Sequence, residues 1–308
     1  MVFCKRPEEV KTRERHIFVE SFKGKYSVKE MCKVLKISES GYYRWLKNKS
    51  KPSKRQLLSV EIQKIIDKHP DNDNYGVLRI KIALEQESIR VSKRTVSRTM
   101  SEMGLLHKRR KPHGITKATT EIWEKENLIK RDFSADMPLK KVVSDITEIQ
   151  CRDGKLYASA VLDCFNGEIV ALAMDSNMRK ELCIKTIEQL EEKYGNQLRG
   201  MIFHSDRGSQ YTSEAFRETL KSCKITQSLS GAGRCYDNAR MESFWATLKK
   251  EKIYRIAAYK LTREQVKSIV FRYIFVYYNR IRVYTANPQG LPPVRYREWI
   301  NGYRKTAA

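Results

Sequence analysis

The chain has 308 residues, 41% of them hydrophobic, enough for two or three domains with real cores and too apolar for a disordered tail. Lysine and arginine number 61 against 36 acidic residues, a formal charge of +25, so a polyanionic partner is expected, nucleic acid first. Seven scattered cysteines without a CxxC pair argue against a disulfide framework and a zinc finger. No apolar run approaches the roughly 18 residues of a membrane span, and the N-terminus lacks a signal-peptide core. A cytoplasmic, nucleoid-associated protein with reduced thiols is the expectation.

In residues 1–50 the first signal is Ser27-x-x-Glu30, a capping box. Val28, Met31, Cys32 and Leu35 then follow the spacing of a helix with one buried face. A break at Ile37-Ser38 leads to a second helix, about 39–48, with Tyr42, Trp45 and Leu46 inward. Two short helices and a tight turn read as a helix-turn-helix, with Ser40, Tyr43, Arg44 and Lys47 offered to a DNA groove. A plain helical hairpin is the alternative.

Residues 51–110 read as a second helical, helix-turn-helix-like DNA-binding unit. Helix 57–68 carries Leu58, Ile62, Ile65 and Ile66 on one face. Tyr75-Gly76 opens another, with Leu78, Ile82 and Leu84 inward. Ser92 caps a third, whose stripe is Val96, Met100 and Met103 and whose stop is Gly104. Its outer side shows Lys93, Arg94, Ser97 and Arg98, a phosphate-contacting face or a solvated one. The run 107–119, HKRRKPHGITKAT, grips phosphate through Arg109 and Arg110. It opens a basic linker and short helix that fill 111–138.

From 139 to 285 the rhythm is that of an α/β domain. KKVVSDITEIQC and KLYASAVLDCF flank Arg152-Asp153-Gly154, a hairpin turning on Asp-Gly. EIVALAMD gives a third strand, 179–193 a helix, MIFH a short central strand, 213–222 a helix and ITQSL a fifth strand. Helices at 236–252 and 262–279 follow, and 286–308 form a C-terminal tail. A three-strand meander followed by alternating helix and strand is the order of a ribonuclease-H-like core. The fold class is therefore α/β, a mixed five-stranded sheet with flanking helices, preceded by an all-α helix-turn-helix region.

Three carboxylates stand out: Asp145, Asp206 and Glu242, with 35 residues between the last two. Each lies in apolar or small-residue sequence, where an unpaired charge is costly. Asp145 falls midway along the first strand, Asp206 just past the fourth, and Glu242 on a helix that packs across the sheet. Carboxylates gathered in this way hold hard divalent cations, which activate a water or a 3′-hydroxyl and stabilise the leaving oxygen of a phosphodiester. Asn238, Glu242 and Lys249 share a helix face, with Lys249 placed for a phosphate. Asp237 is the rival carboxylate, better explained as an N-cap. His204 reads as a satisfied histidine rather than a proton relay. Asp206 could also simply begin a turn with Gly208.

SDITEI, FHSDRGSQYTS, GAGRCYDNARMESFWATLKKE and YNRIRVYTANPQGLPPVRY resemble the integrase-type transposases of bacterial insertion sequences. The resemblance is to the IS-three family, DDE enzymes related to retroviral integrases, and covers nearly all of the chain. Tyr284 stands where the family often has His, and Val142 where it often has Trp. The resemblance implies cleavage at element ends, then strand transfer by direct 3′-OH attack. Asp145, Asp206 and Glu242 would bind two Mg²⁺ ions, with Mn²⁺ able to substitute. The implied partners are double-stranded DNA (element ends and target), further copies of the chain on that DNA, and an upstream-frame protein, joined by frameshift fusion or separate. The competing readings are a non-catalytic DNA-binding regulator of transposition and a nuclease that only hydrolyses.

Overall fold

The computed structural model describes residues 10–106, 127–231 and 235–307; Arg109, Arg110 and most of the helix expected at 120–130 lie outside them. The described end of that stretch, 127–131, is bends and turns. The chain divides into two compact units, Met1–Val60 and Glu61–Ala308.

In the first unit, α1 (Thr12–Phe22), α2 (Val28–Val34) and α3 (Glu39–Asn48) enclose a small core of Val19, Met31, Cys32 and Tyr42. Phe22, Val28, Leu35, Trp45 and Leu46 pack against it. The expected pair of helices is thus a trio; α1 repeats its apolar residues too sparsely to be seen in the sequence. Ser38 caps α3, accepting from Gly41 N–H at 3.1 Å. The capping box at Ser27 does not form: the residue has the extended N-cap conformation but its side chain accepts no bond. Tyr43, Arg44 and Lys47 are exposed on α3.

α4 (Lys54–Asp67) leads to a 3-10 turn, Pro70–Asn74, then α5 (Val77–Gln86) and α6 (Lys93–Glu102). Ile80, Ala83 and Leu84 form the buried face of α5. Leu78, expected inward, is 49% exposed; two residues from Ile80, it stands about 200° round the helix. Ser92 caps α6 by accepting from Thr95 N–H, and Val96 and Met100 are buried. Gly104 ends the helix at φ +70°, with Leu105 N–H on the Met100 carbonyl and its own N–H on that of Ser101. This is a Schellman close that glycine accommodates without strain. Lys93, Arg94 and Arg98 are exposed.

Five strands form one sheet: β1 (Lys141–Cys151), β2 (Gly154–Asp163), β3 (Ile169–Asp175), β4 (Ile202–Ser205) and β5 (Thr226–Leu229). Their order is β3-β2-β1-β4-β5, with β1, β2 and β3 antiparallel and β4 and β5 parallel to β1. This is the expected mixed ribonuclease-H-like sheet. Cys151 pairs with Gly154, so the hairpin loop is Arg152-Asp153, and Gly154 opens β2 instead of completing the turn. α7 (Lys180–Tyr194), α8 (Ser209–Thr212) and α9 (Glu214–Ser222) cover one face of the sheet, where Val142, Phe203, Cys183, Ile187, Phe216 and Leu220 meet. Strand alternation sends Val143, Asp145 and Thr147 to the other face.

α10 (Ala239–Leu248) and α11 (Arg263–Arg272) are shorter than the helices expected at 236–252 and 262–279. Each runs on into a π-helical stretch, Lys249–Ile253 and Tyr273–Tyr278. The widened turns serve buried polar demands. Glu251 takes two bonds from Arg282, at 2.8 Å each, one from Arg79 at 2.9 Å and one from the Tyr273 hydroxyl at 2.8 Å. Burial alone would raise its pKa, but those bonds and the two guanidinium charges hold it below the usual range. Beside it, Lys252 pairs with Asp71 at 2.9 Å, and the Tyr277 hydroxyl donates to the Asp71 carbonyl at 2.8 Å. The 70–79 segment is thereby fixed to the end of α10.

The YNRIRVYTANPQG stretch is absorbed in the same way. Asn279 bonds both the N–H and the carbonyl of Ile169, Asn287 reaches the Asn166 carbonyl, and Arg297 on α12 (Pro293–Ala307) pairs with Glu168 at 2.9 Å. Arg282→Ala leaves Glu251 buried without its bidentate partner; the expected loss is roughly 3 kcal/mol, read as a lower urea midpoint of the full chain at unchanged slope.

Candidate active site

Asp145 is the fifth residue of β1 and stands half-buried on the face that α10 covers. Its pKa is raised to about 7. Burial is the largest cause; an Ile146 N–H bond opposes it, and the negative charges of Asp206 and Glu242 raise it further. Three carboxylates far apart in sequence therefore share one electrostatic field.

Asp206 follows β4 directly and is exposed. The Gly208 N–H donates to its Oδ1 at 3.0 Å, an Asx turn that fixes the carboxylate. A Cβ on Gly208 would meet that oxygen at 3.1 Å, so this turn suits glycine. The turn reading and the site reading are both present here. Glu242 lies in the first turn of α10, with its pKa raised by burial. Met241, Phe244 and Leu248 are buried beneath it as the spacing requires. Trp245, unnoticed in the sequence, lies close enough for its indole N–H to lower the Asp145 pKa slightly, yet it closes no hydrogen bond. Lys249 is half-buried at the start of the π-turn.

Among the described residues, no three His, Cys, Asp or Glu side chains are drawn tightly enough together to enclose an ion unaided. The arrangement is open. Its donors are all carboxylate oxygens, the set preferred by hard cations that keep waters and take substrate phosphates as further ligands.

Two sequence expectations near Glu242 are corrected. Asp237 is not an N-cap. It is fully buried in the 3-10 turn Cys235–Asn238, accepting from Arg131 at 2.8 Å, Asn127 at 3.0 Å and Gly231 N–H at 3.0 Å. Asn238, expected to face DNA, is also buried; its Nδ2 donates to the Ser144 carbonyl at 2.8 Å. The cause is common to both. The chain enters α10 through a tight 3-10 turn that presses these two side chains into the protein.

His204 is satisfied, as expected. Its Nε2 lies 2.9 Å from the Asp237 carbonyl and must donate to it; its Nδ1 lies 2.8 Å from Ser228 Oγ. That hydroxyl accepts from Leu128 N–H at 3.0 Å and so donates to Nδ1. Burial lowers the pKa, which keeps the ring neutral.

Family models described as Integrase core domain match residues 135–235 and 242–299, and one described as HTH-like domain matches 52–113. Transposase InsF for insertion sequence IS3A of Escherichia coli is 30% identical over 271 residues, 87% of this chain and 93% of that protein. The chain belongs to the IS3 family of transposases. An uncharacterised 31 kDa protein of insertion element IS600 from Shigella sonnei is 31% identical to this transposase, over 87% of its length and 97% of the relative's. The catalytic core domain of BIV integrase matches 54% of the chain and 99% of its own at 18% identity and a TM-score of 0.40. Its family and the integrase-core models make the transposase a DDE polynucleotidyl transferase acting on DNA, with an integrase core and a helix-turn-helix-like domain. Among the described residues no helix is long and apolar enough to cross a membrane.

The raised Asp145 pKa contributes to the pH dependence of stability, beside that of Asp163, which burial pushes up to about 6. A carboxyl with a pKa of 3.8 unfolded and about 7 folded binds its proton more tightly in the folded chain. Its stabilising contribution is complete below about pH 4 and is lost as pH rises to about 7. In chelator, Asp145→Asn is expected to flatten the stability profile over this window. It raises the urea midpoint at pH 8 relative to wild type, each pKa unit corresponding to about 1.4 kcal/mol.

Proposed function

We propose that this transposase cleaves DNA at the ends of its element and joins the freed 3′-hydroxyls directly to a target. Its centre is made by Asp145, Asp206 and Glu242. The observation that carries this is the field at Asp145: a half-buried carboxyl facing two further carboxylates from separate elements. Such a cluster destabilises the protein unless a cation joins it. The open oxygen set fits Mg²⁺, with Mn²⁺ able to substitute, and two ions suit a substrate with an attacking and a leaving oxygen. Bound there, such ions supply Lewis acidity, lowering the pKa of the attacking hydroxyl and stabilising the leaving oxygen.

The chain's own groups do the rest. Asp145 in its ionised form would hold a bound cation. Asp206, held through one oxygen by Gly208, presents the other. Glu242 closes the set from α10, and Lys249 lies one helical stretch further on, placed to hold a phosphate. The exposed faces of α3 (Tyr43, Arg44, Lys47) and α6 (Lys93, Arg94, Arg98) contact DNA. The helix-turn-helix of 1–50 and the helical unit of 51–110 bind DNA, and the core of 139–285 performs the chemistry. Joining two ends at once calls for more than one copy of the chain on the DNA.

Labelled end DNA with a target plasmid and Mg²⁺ or Mn²⁺ is expected to give joined product with wild type and none with Glu242→Gln, while the mutant still binds DNA. Nicks without joined product would mark a hydrolysis-only nuclease. No product from either, with binding intact, would mark a regulator or a chain that needs its upstream-frame partner; a fused chain separates those two.

End binding is expected to weaken steeply with salt, as phosphate contacts release counterions. Lys93→Ala and Arg94→Ala should each reduce the slope of log affinity against log salt by about one. A salt-insensitive affinity contradicts the basic faces assigned to DNA.

A further inference from the structure

Asn238 occupies the N-cap of α10 without capping it: no backbone N–H of the helix reaches its side chain. Its Nδ2 instead donates at 2.8 Å to the carbonyl of Ser144. That carbonyl lies one residue beyond Val143, where β1 stops pairing with β4, and one residue before Asp145. Its Oδ1 is buried and has no hydrogen-bond partner. An asparagine in this place ordinarily stabilises its helix by accepting an N–H from the first turn. A buried amide oxygen left unpaired costs stability. The residue forgoes both gains and keeps the single bond that ties the start of Glu242's helix to Asp145's strand. Features that break a local rule in this way gather at functional sites.

The preceding residue makes the matching tie. The Asp237 carbonyl accepts from Nε2 of His204, two residues before Asp206. Neighbouring residues at the head of α10 thus hold the strand of Asp145 and the strand of Asp206, and Glu242 follows one turn later.

We propose that Asn238 is a positioning residue of the metal centre, setting the distance from Glu242 to Asp145 at the expense of stability; this rests on the metal-centre reading given above. Asn238→Ser tests it, because serine can cap α10 but cannot span to Ser144. Asn238→Ala serves as a second variant with the same readouts. The control is Asn279→Ala, which removes a buried amide bonded to Ile169 in the same unit. The reference is Asp145→Asn. Each full-length protein is measured for melting temperature in chelator, for Mn²⁺ binding without DNA by electron paramagnetic resonance, and for strand-transfer kcat and KM.

Asn238→Ser is expected to melt at or above the wild-type temperature. Its Mn²⁺ half-saturation should rise about tenfold, as when a group orienting a metal ligand is removed, with kcat reduced and KM for end DNA unchanged. Asn279→Ala should lower the melting temperature and leave Mn²⁺ binding as it is. If both Asn238 variants bind Mn²⁺ like wild type, or behave as Asn279→Ala does, Asn238 is merely structural and the proposal is overturned. If Asp145→Asn itself keeps Mn²⁺ binding and activity, the metal-centre reading fails and the proposal falls with it.

Discussion

The burial of Asp145 against two other carboxylates is the constraint around which this transposase is arranged. A carboxyl with a pKa near 7 is a poor structural residue at neutral pH, since folding then works against its ionisation. Each of the three carboxylates is held by a different kind of element. A central strand carries Asp145, an Asx turn Asp206, and the first turn of a helix Glu242. Keeping like charges close requires rigid supports, and the sheet supplies them through a core packed on the opposite face.

Around that centre the protein uses buried polar groups for geometry and apolar ones for cohesion. His204, Asp237 and Asn238 form a chain of bonds among β4, β1 and the entry to α10. Asp237 is neutralised by Arg131 and two further donors, so this charge, unlike that of Asp145, is fully answered. At the far end of the same helix, Glu251 receives four donors from Arg79, Tyr273 and Arg282. α10 is therefore gripped at both ends, and the second grip includes the 70–79 segment next to the HTH-like helices. Paired buried charges of this kind contribute more to a unique arrangement than to net stability.

The two classes of polar group differ in how readable they are. Asp145, Asp206 and Glu242 are conspicuous in sequence because each sits in apolar or glycine-rich surroundings. Asp237 and Asn238 looked like a helix cap and a DNA contact, because periodicity treats 236–252 as one regular helix. The 3-10 entry and the π-turn at Lys249–Ile253 break that regularity. Both arise from partners distant in sequence, Arg131 and Asn127 for one and Arg282 and Asp71 for the other. Leu78 and the Ser27 capping box were misread for a similar reason: local pattern gives the helix, while its neighbours decide which face is buried and whether a cap bond closes.

The sequence by itself determined the strand order of the core, the mixed sheet and the exposed basic positions of α3 and α6, and it singled out the three acidic residues. Those properties follow from side-chain period, turn chemistry and charge, all local. Only the tertiary structure decided that the three carboxylates share one field, that Asn238 faces β1 instead of solvent, and that Glu251 joins α10 to the 70–79 segment. Hydrogen bonds and charge interactions act through space over a few ångströms, and the folded chain alone says which residues 94 or 172 positions apart come within that reach.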